Sequence, residues 1–193
     1  EDAVPVELPV SLPDNNRVIG INWGIVKNGI FGGNEAFVED QLAAAAKQWI
    51  RQGYTLLFFV MWPKDIPSSQ RLMEKIGHPD QVHLIETVNP YEIMYIISRC
   101  RMTVNYKLHA AVFSAVMGVP FIALGYRFKV FDFAASIDSI PYTVSTDEPN
   151  MAELILRLAQ RIESKYPARI HSIRRNLSKY GGGLTGPFFE ILR

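Results

Sequence analysis

The chain has 193 residues, 48% of them hydrophobic, enough for one sizeable core. Its formal net charge of +1, with Lys and Arg spread along its length, excludes the strongly basic surface expected of a partner of nucleic acid or anionic membranes. The longest apolar runs, "TLLFFVMW" and "AAVFSAVMGVPFIALG", are too short or too broken by Gly and Pro to span a bilayer.

The opening "EDAVPVELPVSLPDNN" is punctuated by prolines and reads as a linker over residues 1–16, leading from a domain that would precede it. From Arg17 to residue 180, short apolar strands alternate with helical patterns. "RVIGIN" is a β-rich run, followed by the Gly-rich stretch "WGIVKNGIFGGN". Over Glu35–Gln52, Phe37, Val38, Leu42, Ala45, Trp49 and Ile50 recur at helical spacing. "YTLLFFV" is continuously apolar, as a strand covered on both faces must be. A helix is expected over Ser68–Ile76, then the strand "VHLI", a helix from Pro90 to Ser98 and the strand "MTVN". Between these last two lies Cys100, the single cysteine, which excludes an internal disulfide and suits a reducing cytoplasm. A helix Leu108–Met117, the strand "FIAL" and a helix over Val130–Ile137 follow. "PYTVS" fits an edge strand, and Met151, Leu154, Ile155, Leu158 and Ile162 mark one face of a long helix. A basic helix runs through "ARIHSIRRNL", and "YGGGLTG" stops it ahead of a C-terminal tail over 181–193.

This alternation predicts an α/β fold, a doubly wound Rossmann-like parallel sheet with helices on both faces. In such a sheet ligands bind at the carboxyl ends of the strands where the strand order reverses, between the first and fourth strands. That rule brings the loop after "RVIGIN" to the loop "YKLH" after "MTVN". The first loop has about a dozen residues where about 2–6 are usual. Its glycines, Gly32 and Gly33 among them, let backbone approach a ligand, and Asn34 is an N-cap for the next helix. It carries neither a dinucleotide fingerprint nor a Walker A loop, and read alone it is equally an ordinary long turn.

Lys107 and His109 stand where a buried strand becomes a buried helix. Taken singly, a solvated loop lysine and a first-turn histidine bonded to a carbonyl are the plain readings. Together, at the positive end of a helix, they suit chemistry on an anionic substrate. Tyr126, Arg127 and Lys129 sit at the end of "FIAL", beside the same crevice. Trp23 and Trp62 each follow a strand, where an indole face either stacks on a sugar ring or caps the core. The histidines are scattered, and no His/Cys/Asp cluster has metal-ligand spacing.

These residues carry a resemblance. "KLHAAVFSAVMGVPFIALGYRFK" is similar to the polysaccharide pyruvyl transferase family, whose pattern there is Arg-Leu-His-Ala, then Gly-x-Pro before a strand, then Tyr-x-x-Lys. The matching positions are Lys107, Leu108, His109, Ala110, Gly118, Pro120, Tyr126 and Lys129, and "NPYEIMYIISRC" resembles the family's preceding helix. One departure stands out: the family's arginine is Lys107, an ammonium point charge in place of a planar guanidinium with two parallel bonds to offer.

The resemblance implies the C-terminal half of a two-domain, GT-B-like enzyme, with the N-terminal domain missing from this chain. It implies pyruvate ketal formation from phosphoenolpyruvate, as co-substrate, on a glycan acceptor, with no other cofactor and no metal, in the cytoplasm or at the inner face of its membrane. His109 would be the general acid/base. Lys107 and Lys129 would hold donor charge, Leu108 and Tyr126 would line the substrate site, the Gly32–Asn34 backbone would hold phosphate, and Trp23 would meet a sugar. Two rivals stay open. One is a GT-B glycosyltransferase using a nucleotide sugar, with Glu86 on the ribose. The other is a glycan-binding relative without turnover, marked by Lys107.

Overall fold

A computed structural model describes residues 17–24 and 35–179. Six strands, β1 (Val18–Asn22), β2 (Thr55–Phe59), β3 (Val82–Ile85), β4 (Met102–Asn105), β5 (Phe121–Gly125) and β6 (Thr143–Ser145), form one sheet in the order β3-β2-β1-β4-β5-β6. Every neighbouring pair is parallel. The order reverses between β1 and β4, where Ile21 lies opposite Val104 and Asn22 opposite Asn105. The doubly wound sheet expected from the alternation is therefore present, and "TVS" is its edge strand.

Among the described residues seven α-helices connect and cover the strands: α1 (Glu35–Arg51), α2 (Ile66–Ile76), α3 (Pro90–Ser98), α4 (Leu108–Val116), α5 (Phe128–Ser136), α6 (Met151–Ser164) and α7 (Tyr166–Ser178). Two of them begin earlier than periodicity indicates. Pro67 sits in the first turn of α2, where its missing N–H costs nothing, so that helix opens at Ile66. The exposed Phe128 opens α5 ahead of the first buried residue, Val130. Apolar spacing detects only the buried part of a helix.

One face of the sheet packs against α1, α2 and α6, through Ile19, Ile21, Leu56, Phe58, Leu42, Trp49, Leu72 and Ile155. A second cluster, with Leu57, Phe59, Ile93, Ile96, Ile97, Ala110 and Phe113, fills the space beneath α3 and α4. Adjacent residues of β2 thus point to opposite layers, and both layers are apolar, which is why its sequence shows no alternation. Gly118, just past α4, has φ +67° and donates its N–H to the Ala115 carbonyl at 2.9 Å. Only glycine adopts that left-handed helix stop without strain.

Cys100 is fully buried, and burial pushes its thiol up from 9.0 to about 12. Since the thiolate is the reactive form, Cys100 is expected to resist a thiol reagent in the native protein and to react once denatured. Rapid labelling without denaturant would contradict the packing around it.

Candidate functional site

Because all strands are parallel, the segments after β1, β2, β4 and β5 emerge at one end of the sheet. Two asparagines organise this end. Asn22 closes β1 with its side chain buried: Nδ2 donates to the Phe59 carbonyl of β2 at 3.0 Å, and Oδ1 accepts from the Lys107 N–H at 3.0 Å. Asn105 closes β4 and donates to Thr103 Oγ1 at 2.9 Å and Ser114 Oγ at 3.0 Å. One side chain in β1 therefore fixes where the chain turns from β4 into α4. Asn22→Ala would leave the buried Phe59 carbonyl and the half-buried Lys107 N–H without this partner, and the expected loss of stability is about 1–3 kcal/mol for the first, with less for the second. A denaturation midpoint equal to that of the unaltered protein would remove Asn22 from this role.

Above the asparagines lies an aromatic row. Trp23 packs on Tyr106 at 4.7 Å between ring centroids, and Tyr106 stacks on Tyr126 at 4.3 Å. Both tyrosines are buried, and desolvation raises the pKa of each hydroxyl above its ordinary value, with Coulombic repulsion from Asp65 adding to it. They stay neutral hydroxyls at physiological pH.

Lys107 is the residue ahead of α4 and His109 is the second residue within it, half-buried. The Lys107 ammonium lies 3.2 Å from Asp65 Oδ1, with side-chain exposures of 15% and 3% respectively. Asp65 ends the short 3-10 turn Pro63–Asp65 after β2. Its carboxylate fits only because residue 24 is glycine: a Cβ there would come within 2.2 Å of Asp65 Cγ. Ser69 Oγ also donates to the Trp23 carbonyl at 2.9 Å, tying α2 to the end of β1. Asp65 thus sits where the ends of β1, β2 and β4 converge.

Of the loop 23–34 expected to meet residues 106–109, Trp23 does so, packing on Tyr106, and everything in it after Gly24 lies outside the described residues. Gly32, Gly33 and Asn34 lie outside the described residues, as do the segment 1–16 and the tail 181–193. Three of the assigned residues need correction as open binding surfaces. Trp23 is 1% exposed, and its indole N–H donates to Glu39 Oε1 at 3.1 Å, so its ring has no face for a sugar. Leu108 and Tyr126 are buried in the main core, placed there by α4 and by the tyrosine stack. Lys129 stands exposed on the first turn of α5. Trp62, by contrast, is 56% exposed on the segment after β2. Glu86 is exposed beyond β3, the outer strand, with β2 and β1 between it and β4.

Glu39 is the anchor for Trp23. Burial alone would raise its carboxyl, but hydrogen bonds from Arg71 and Trp23 outweigh that and lower its pKa from the ordinary 4.5. Arg71 donates to it at 2.7 Å and also pairs with Glu35, while Lys75 approaches at 3.3 Å. A depressed carboxylate adds stability above its unfolded value and loses it on acidification. The anchor is therefore expected to weaken as pH falls below about 4.5, visible as a falling melting temperature that Glu39→Gln makes less steep.

Asp65 was not singled out by sequence reasoning. Its only local signal is an acidic residue just beyond a strand end, in a Pro-bounded "PKD" turn. Among the described residues no group of His, Cys, Asp or Glu is placed to hold a metal ion, and no helix is long and apolar enough to cross a membrane.

A single parallel sheet of this order, with its polar cluster at the strand reversal, defines one Rossmann-like half of a GT-B architecture. Solved structures agree. The chain superposes on E. coli ADP-heptose lipopolysaccharide heptosyltransferase II with TM-score 0.62 at 15% identity, over 81% of this chain and 49% of that one. It matches the C-terminal CMP-Kdo binding domain of WaaA from Acinetobacter baumannii with TM-score 0.61 at 10% identity, over 86% and 91%. Against the spinosyn rhamnosyltransferase SpnG the values are 0.61 and 16%, over 88% and 43%. The chain thus spans about half or less of the two whole transferases and nearly all of the isolated domain. No curated protein sequence matches it.

The polysaccharide pyruvyl transferase family matches residues 4–127. The chain belongs to that family. The match extends far upstream of the two segments that carry the resemblance, takes in Asp65, Lys107 and His109, and ends at residue 127, before Lys129.

Proposed function

We propose that this chain is the donor-side half of a polysaccharide-modifying transferase that moves pyruvate from phosphoenolpyruvate onto a sugar of a cell-surface polysaccharide or its precursor. The observation that carries the reading is the placement of Lys107 and His109, in a member of this family, at the strand reversal of a GT-B-like sheet. In the reaction two acceptor hydroxyl oxygens bond to C2 of phosphoenolpyruvate, and the C2–O bond to phosphate breaks. One hydroxyl proton ends on C3, turning the methylene into a methyl group, and the other leaves with inorganic phosphate. His109 is the group for moving a proton to C3. Lys107 and Lys129 contribute positive charge toward the donor carboxylate and phosphate. Trp62, not Trp23, offers an indole face to a sugar ring. The acceptor hydroxyls would be presented by a second, N-terminal domain, which would also exclude water.

The test supplies the full-length protein with phosphoenolpyruvate and acceptor glycan, and follows phosphate release together with the ketal methyl signal by NMR. Acceptor-dependent phosphate release is the expected result. A thermal-shift series with phosphoenolpyruvate, UDP and GDP separates this reading from nucleotide-sugar transfer: stabilisation by a nucleotide and not by phosphoenolpyruvate would sink it. The Lys107–Asp65 ion pair favours a second reading, glycan binding without turnover, because it spends the lysine's charge within the protein. Glycan binding with no ketal formed would establish that alternative.

A further inference from the structure

We propose that Arg127 supplies the guanidinium that grips the anionic donor, in place of the arginine that position 107 lacks. This rests on the donor-site reading above and deepens it. Arg127 follows β5 directly and is the residue ahead of α5, so it stands on the strand next to the one that delivers Lys107. Its Cζ lies 5.6 Å from the Tyr126 ring centroid, and Lys107 Nζ lies 5.7 Å from the Tyr106 centroid. Those two rings stack on each other. The two cations therefore flank a single tyrosine pair at the strand ends.

Their charges are not equally available. Lys107 is compensated by Asp65. Among the described residues no carboxylate lies within ion-pairing distance of Arg127, and its Nε is buried with no hydrogen-bond partner. A buried donor left unmet is costly, and a ligand oxygen that accepts from it removes that cost. Nε with the adjacent Nη is also the edge of a guanidinium that meets a carboxylate or phosphate through two parallel bonds. Lys129, also assigned to donor charge, is exposed in the first turn of α5 and offers a point charge, not a two-pronged edge. A two-pronged grip lost at β4 is thus available one strand over.

The experiment measures phosphoenolpyruvate binding to the full-length protein by calorimetry, with inorganic phosphate as second probe. Arg127→Gln is expected to raise the Kd for phosphoenolpyruvate about 30-fold or more, the scale for truncating one partner of a buried charged hydrogen bond. Arg127→Lys should recover only part of that, and Lys165→Gln, at an exposed lysine with no role assigned at the site, should stay within about 3-fold of the unaltered protein. Melting curves without ligand show whether each variant is folded, and the ligand-induced rise in Tm gives the same ranking independently. An unchanged Kd in Arg127→Gln, or an equal loss in Lys165→Gln, overturns the proposal. If the unaltered protein ignores phosphoenolpyruvate but binds phosphate in an Arg127-dependent way, the pyruvyl-donor reading falls and the role of Arg127 as an anion clamp stands. If it binds neither probe, the proposal falls with it.

Discussion

His109→Ala in the full-length protein will lower kcat by roughly 10²–10⁴-fold, the range for loss of a general acid/base, while the KM for phosphoenolpyruvate changes little. His109 is held by position. Asn22 fixes the Lys107 backbone, α4 starts at the next residue, and the imidazole follows within the first turn. Steady-state kinetics with phosphate release as the readout checks this, alongside melting curves. If turnover were intact and only Tm moved, His109 would be a packing residue at a helix start, and the chemistry would have to be sought elsewhere at the strand ends.

Lys107 should behave differently, and the structure adds a reason that its sequence position does not. Lys107→Ala takes the cation away from the nearly buried Asp65 carboxylate. Breaking a buried ion pair from one side costs about 3–5 kcal/mol, and the partial exposure of Lys107 places the expectation at about 3. The same variant should raise the KM for phosphoenolpyruvate, as loss of a ground-state charge does. Lys107→Arg keeps the pair and should be tolerated, and its planar fork can improve donor affinity. The informative combination is Lys107→Ala with Asp65→Asn. With the Asp65 charge gone as well, stability should recover by much of what the single variant lost, whereas the raised KM should persist. Urea denaturation of the four members of this cycle measures the coupling directly. Additive single effects would mean that the observed 3.2 Å contact contributes nothing, and that Asp65 is held by other groups.

The element types were legible along the chain because each is a repetition. Continuous apolar residues in "TLLFF" mark a strand covered on both faces, and the 3.6-residue spacing of Val38, Leu42, Ala45 and Trp49 marks a helix with one buried side. Parallel strands joined by right-handed crossovers then leave few topologies, and the commonest doubly wound order reverses between its first and fourth strands, as observed here. That was enough to bring Lys107, His109 and Tyr126 to one end of the sheet and to point to the family.

What periodicity cannot carry is which of two similar residues faces inward. Trp23 and Trp62 both follow a strand. Trp23 is buried because β1 lies inside the sheet and Glu39, sixteen residues on, accepts its N–H, while Trp62 stands exposed where the chain leaves β2 toward α2. Asp65 reads locally as a surface turn. It is buried because Gly24 leaves it room and Lys107, far along the chain, neutralises it. By itself the sequence determined the strands, the helices and the end of the sheet where Lys107 and His109 gather, since side-chain direction repeats every two or 3.6 residues. Only the tertiary structure decided which charges there are already paired and, among the described residues, which cation has no carboxylate beside it, because those partners are distant in sequence and meet only once the sheet is assembled.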